Sequence, residues 1–479
     1  MKQLNATDAG YFFMEQAAAG FHFTSLYLYD PATRPEKELS IGSVMAHINQ
    51  RLQINPIFRR KVVQVPFNVD YPYWVDDEHF NLEFHLRHLA LPKPGDWNQL
   101  CAMTSRLHSR PMDMSKPLWE MYLVEGLNIA GLPRDAVAIL CKMHLATIDQ
   151  AGNELAAILH DLTPAVSESG EQIDWRGETP PTPITLLRRS LFNNLSLPLR
   201  IARGVIGFGC STLLNTKERI EEMASHDRKA GIPHTRFNTT VSQFRVYDGI
   251  QFPLEKLSEM RRTASGASVH DLVTAIISGG IREYLKQHGE LPINSLSAGS
   301  YFQLASTRGR SMLEMITLPL HTDLPDPVER LSAIVASTSQ ELDDRQTLNI
   351  QQILAITPDL PAATFALAAK LMISTQSALG SYAKPKVNCI ITNVPSPDKT
   401  LYFNGAKMIY QSALSPLMDG LGLNFMINSY DNTINLSFTS CREIVPDPDL
   451  LSQCIQSAYV ELKAALLGDS NVVPINRTG

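Results

Sequence analysis

The chain has 479 residues, 44% of them hydrophobic, enough to bury a large core and to divide into two or more domains. Its net charge of -6 and pI near 6.1 argue against a dedicated nucleic-acid binder, and no run approaches the roughly 20 apolar residues of a membrane span. Cys101, Cys141, Cys210, Cys389, Cys441 and Cys454 lie far apart with no Cys-x-x-Cys pair, which predicts free buried thiols, a reducing compartment and no metal site.

Met1 to Asp8 lacks the charged and apolar parts of a signal sequence, so a cytoplasmic protein is expected. The first half, residues 1–164, reads as α/β. Its clearest strand is the apolar run Asp135 to Met143, bounded by charge. His144 falls at the end of that strand and Asp149 in the turn that follows. Leu155, Ile158, Leu159 and Leu162 then recur at helical spacing until Pro164, so Asp149 also suits a helix N-cap. A lone His and a lone Asp at this spacing are weak evidence of chemistry, because they can satisfy each other or cap a helix.

Residues 165–235 read as a linker, opening with Ser167 to Glu171 and Pro180-Pro181-Thr182-Pro183. Within it, 186–208 mixes Arg188, Arg189, Arg200 and Arg203 with bulky apolar residues and carries no acidic one. Two readings stay open: an interlobe helix whose apolar side is core, or a segment lying on a membrane or lipid droplet with its cations near anionic headgroups. Residues 236–479 form the second half, with a strand from Phe244 to Tyr247, a helix from Pro253 to Arg262 and a long apolar helix from Asp271 to Leu285.

Ordered landmarks then carry a resemblance over nearly the whole chain. They include Leu4-Asn5-Ala6-Thr7-Asp8-Ala9, Pro56-Ile57-Phe58-Arg59-Arg60-Lys61, Pro117-Leu118-Trp119-Glu120 and Lys142-Met143-His144-Leu145-Ala146-Thr147-Ile148-Asp149-Gln150. Further on come Ser268-Val269-His270-Asp271, Leu324-Pro325-Asp326-Pro327, Thr392-Asn393-Val394-Pro395 and Gly422-Leu423-Asn424. In these the chain resembles the bacterial wax ester synthase/diacylglycerol acyltransferase family. The resemblance implies an α/β (α+β) fold of two chloramphenicol-acetyltransferase-like lobes, with mixed sheets flanked by helices around a central channel. It also implies an O-acyltransferase that takes acyl-CoA as co-substrate, uses no cofactor, and esterifies a fatty alcohol or diacylglycerol. Such a protein would be cytoplasmic and could touch the inner membrane face peripherally.

The family motif is His-His-x-x-x-Asp-Gly, and here it is degenerate. Alignment puts His144 on the first His, Leu145 on the second, and Gln150 on the Gly. His270 replaces the Asn of an Asn-Asp motif, and Arg310 follows Gly309 where the family usually has Asn. By the resemblance, the second His is the general base and Asp149 orients the site through an ion pair with an Arg. Leucine accepts no proton, so esterification is expected to be impaired. His144 could serve only if a bulge or one-residue slip turned it into the channel. The alternative is a non-catalytic relative that keeps the cavity to bind acyl-CoA, lipid or a protein; another acyl-transfer chemistry on the same fold is a third reading. Trp119, Asp271, Asn393 and Asn424 are channel candidates by position, with packing for Trp119, pairing or capping for Asp271 and structural hydrogen bonding for the two Asn the preferred accounts.

Overall fold

The computed structural model describes residues 1–15, 20–151, 158–166, 177–195, 231–304, 312–347, 385–394 and 399–468. In the first part run β1 (Lys2–Gln3), α1 (Ala6–Met14), β2 (His22–Asp30), α2 (Ile41–Arg51), β3 (Arg60–Val63), β4 (Tyr73–Asp76) and α3 (Leu82–His85). β5 (Leu86–Ala90), α4 (Trp97–Ser109), β6 (Trp119–Glu125), β7 (Val137–His144), α5 (Leu145–Ala151) and α6 (Pro183–Leu195) follow. The second part contains β8 (Arg245–Pro253), α7 (Leu254–Thr263), α8 (Val269–Gln287), β9 (Ser297–Leu304), β10 (Met312–Pro319) and α9 (Pro327–Thr347). It ends with β11 (Cys389–Val394), β12 (Tyr402–Phe403), β13 (Ala406–Leu414), β14 (Leu423–Tyr430), β15 (Thr433–Cys441) and α10 (Pro448–Leu467).

Two six-stranded mixed sheets organise these elements, in the orders β12-β13-β2-β7-β6-β5 and β10-β9-β11-β14-β15-β8, beside a small sheet β1-β4-β3. β7 is buried along its whole length because both faces of its sheet are covered, which is why it reads as an unbroken apolar run. Ala138 and Leu140 pack with Leu100 and Leu107 of α4, whereas Ile139, Cys141 and Met143 pack with Phe12 of α1 and Val44 of α2. In the second lobe, Ile391, Phe425 and Phe438 of the sheet bury against Leu272 and Ile276 of α8 and Leu451 and Ile455 of α10. Gly280 lets α8 and α10 touch: a Cβ there would lie 2.7 Å from Ile455 Cα.

One sheet crosses the linear division into 1–164, 165–235 with its basic amphipathic helical segment, and 236–479. β12 and β13, both beyond residue 236, complete the first lobe's sheet, with β13 antiparallel to β2 from Lys407↔Asp30 to Leu414↔Thr24. The physical reason is edge pairing: β2 needs a second partner beside β7, and β13 supplies it. α6, placed in the linker by sequence, packs on the small sheet, where Leu186 joins Val65, Tyr73 and Val75. The lobes also meet where α4 crosses β8. There Trp97 Nε1 donates to Asp248 Oδ1 over 2.6 Å, and Ser452 of α10 donates to the same carboxylate.

Candidate active site

The motif sits where β7 hands over directly to α5. The expected turn between His144 and Asp149 is absent, because the helix begins at Leu145; Asp149 is therefore inside a helix and not its N-cap. The side chains of Asp149 and Gln150 lie outside the described residues, as does Arg310.

His144 is fully buried. The Ala146 N–H donates to its Nδ1 at 3.2 Å, which leaves the ring proton on Nε2, and that nitrogen faces the Glu15 carboxylate at 3.1 Å. Phe12 stacks on the ring at a centroid distance of 4.5 Å. Both nitrogens are thus engaged with the protein. The pairings that would reveal a slip, His22↔His144 across β2 and Trp119↔Met143 across β6, run without a break to the end of the strand. Leu145 is partly exposed and anchored by its own N–H on Phe21 O at 2.9 Å. The position that the resemblance assigns to the proton acceptor presents an isobutyl group.

The other positions separate. Trp119 is a core residue, 2% exposed, with Nε1 donating to Phe58 O at 2.8 Å and His85 stacked on its ring. Asp271 closes a capping box on α8: its Oδ2 accepts from Ser268 N–H at 2.9 Å, and Ser268 Oγ accepts from the Asp271 N–H at 3.1 Å. His270 is half-buried, 3.5 Å from Ser300 Oγ, and burial lowers its pKa. Asn393 is exposed on β11. Asn424 is buried on β14, its Nδ2 donating to Pro416 O at 2.7 Å, while its Oδ1 has no partner among the described residues.

Sequence reasoning passed over a buried polar layer beside the motif. The Lys142 ammonium, wholly buried, donates to the carbonyls of Leu107 and Arg110 and so closes the C-terminus of α4; burial brings its pKa down to about 8. His22 Nε2 donates to His108 O at 2.6 Å, and Thr24 Oγ donates to His108 Nδ1 at 2.8 Å. Burial first, then the Lys142 charge, pushes His22 down to about 3. The signal was available in outline: His22 and Thr24 alternate on β2 directly opposite His144 and Lys142 on β7. Recognising it needed the pairing of two strands more than a hundred residues apart.

Among known proteins, the family model described as the wax ester synthase/diacylglycerol acyltransferase catalytic domain matches residues 4–273, and that of the WS/DGAT C-terminal domain matches 312–463. A Mycobacterium tuberculosis protein named as a diacylglycerol O-acyltransferase is 30% identical over 468 residues, covering 97% of this chain and all of that one. Another from the same species, named in the same way, is 27% identical over 474 residues with equal coverage. In structure, the chain superposes on the wax ester synthase/diacylglycerol acyltransferase of Marinobacter aquaeolei VT8 with a TM-score of 0.69 at 24% identity, covering 97% of this chain. A trichothecene 15-O-acetyltransferase of Fusarium sporotrichioides shares the fold at a TM-score of 0.61 and 11% identity, again over 97% of this chain. With both domain models matched along its length, the chain belongs to the wax ester synthase/diacylglycerol acyltransferase family.

Proposed function

We propose that the chain is an acyl-CoA-dependent O-acyltransferase whose esterification of a fatty alcohol or diacylglycerol is slowed by the loss of its general base. In that reaction the acceptor hydroxyl oxygen attacks the thioester carbonyl carbon, the C–S bond breaks, and the hydroxyl proton ends on the CoA thiol. The reading is supported by the β7–α5 junction, where the resemblance puts Leu145 at the base position and His144 spends both ring nitrogens on Ala146 and Glu15. General-base catalysis contributes about 10² to 10⁴ in rate, so its loss weakens turnover without removing what is gained by holding two substrates together. Asp149 would keep an orienting role, and Asp271 and Asn424 are the channel candidates that each keep one buried side-chain oxygen without a partner among the described residues.

The test is free CoA release from a long-chain acyl-CoA with hexadecanol or diacylglycerol. Slow release by the parent, rising about 10²-fold or more in Leu145→His, is the expected result. Parent turnover as fast as Leu145→His would remove the case for an impaired base. The second reading, a non-catalytic binder of acyl-CoA, lipid or protein, is favoured by the same leucine. It is established by an acyl-CoA binding isotherm in the parent together with no release above the buffer rate.

A further inference from the structure

We propose that the cleft between α8, α9 and α10 binds a phosphorylated small molecule, whose phosphate compensates the buried guanidinium of Arg330. This does not depend on whether the chain forms esters, because helices of the second lobe alone, with the turn before α9, build the cleft.

Small residues make room for it. A Cβ at Gly279 on α8 would lie 2.9 Å from the Ala458 Cβ on α10 and 2.8 Å from Arg330 Nη2, so the guanidinium rests on the bare backbone of α8. Beside it opens a cavity of about 630 Å³, within the range of small-molecule sites. Arg282, Lys286 and Arg330 line it, with the carboxylates of Glu283 and Glu461. Lys286 Nζ stands 3.5 Å from Glu283, which leaves the two guanidiniums facing Glu461.

Arg330 carries the argument. It is only 2% exposed, yet among the described residues no carboxylate lies within ion-pair distance, and its Nε has no acceptor. Nη1 donates to Leu324 O at 2.9 Å and Pro325 O at 3.4 Å. Burial lowers its pKa and Arg282 adds to that, against Glu461 and Asp326. Asp326 is already committed, its Oδ1 accepting from the N–H groups of Val328 and Glu329. A buried charge is unfavourable unless a counter-charge meets it.

The geometry selects phosphate. Arg282 is anchored as Arg330 is, its Nη1 donating to Thr322 O at 2.5 Å, so backbone carbonyls hold both planar forks at the cavity wall. A tetrahedral phosphate can accept from two forks and from Lys286 together, whereas a carboxylate presents only two oxygens in one plane. Gln287, Gln453 and Ser457 add polar groups for the rest of the ligand, and Leu450 and Pro325 offer too little apolar wall for an acyl chain. The cleft is also remote from the channel candidates. His270 and Asp271 begin α8, and at 1.5 Å per residue Arg282 and Lys286 lie about 16 to 23 Å further along its axis.

Titration calorimetry of the full chain with inorganic phosphate, pyrophosphate and ADP tests the assignment. Saturable binding of at least one is expected. Equal affinity for phosphate and ADP would make free phosphate the occupant, and tighter ADP binding an organic phosphate. Affinity should fall about tenfold or more in Arg330→Met, which removes a charge-assisted contact, and in Ser457→Trp, which fills the cleft, with a smaller loss in Lys286→Ala. Lys286 and Ser457 are exposed, so unchanged melting curves in their variants are expected and would exclude misfolding as the cause of a loss. A parent that binds none of the three overturns the proposal and leaves Arg330 as a clasp on the Leu324 and Pro325 carbonyls. Parent-like affinity in both Ser457→Trp and Lys286→Ala overturns it too, since the phosphates would then sit elsewhere, the interlobe channel included.

Discussion

Histidine burial in the first lobe ties its stability to pH. His22 and His47 are pushed down to about 3 and His160 to about 4, chiefly by desolvation, from an ordinary value of 6.5. Each is therefore neutral in the folded protein at pH 5, while its unfolded counterpart is largely protonated. The unfolded state binds the extra protons, so stability is intact above pH 6.5 and is lost as pH falls toward 4, by about 1.4 kcal/mol per pH unit for each imidazole. Burial also holds His108 well below its ordinary value, so urea unfolding midpoints between pH 7 and 4.5 should fall steeply, with uptake of at least three protons on unfolding near pH 5. Replacing His47 by Gln should lower that uptake by about one proton; an unchanged slope would remove His47 from the account. At this scale His144 was legible as a strand-end residue, but its role was not. The Glu15 contact joins residues 129 apart, and only folding shows which ring nitrogen is taken.

Elements were legible where a local pattern repeats. β7 shows itself by its unbroken apolar run, and α8 by Ser268 and Asp271, which begin the helix and satisfy each other's backbone N–H groups. The start of α5 was hidden, because Leu145 follows the strand with no Ser, Thr, Asp or Asn ahead of it to announce a helix. α6 was legible as basic and amphipathic, yet which side it buries depends on Asp70 and Tyr73, far away in sequence. The close approach of α8 and α10 gives a direct test. Gly280→Val would push a branched side chain into Ile455 on α10, where even a Cβ lies 3.0 Å from the backbone N. Overpacking of that kind should cost about 3 kcal/mol, read as a lower midpoint in urea. Retention of the parent midpoint would show that α8 and α10 can move apart freely.

The whole molecule is two lobes whose sheets share one stretch of chain. Family membership and the two-lobed α/β architecture could be read from ordered landmarks, since those are local. The crossover of β13 could not, because nothing local in Ala406–Leu414 names β2 as the partner. Without β13 the first lobe exposes an edge of β2 from Thr24 to Asp30. Residues 1–235 produced alone should consequently aggregate or remain molten, while co-production with 236–479 should restore a soluble complex; size-exclusion chromatography separates the outcomes. A monomeric, cooperatively melting 1–235 fragment would show that the crossover strand is dispensable.

The same strand sets a timetable for synthesis. At about 5 to 20 residues per second, a ribosome finishes β7 long before it reaches residue 414. Throughout that interval the nascent first lobe carries an open edge and a buried lysine, Lys142, in a sheet one partner short. The lobe made first is thus completed late, and both lobes mature together near the end of translation.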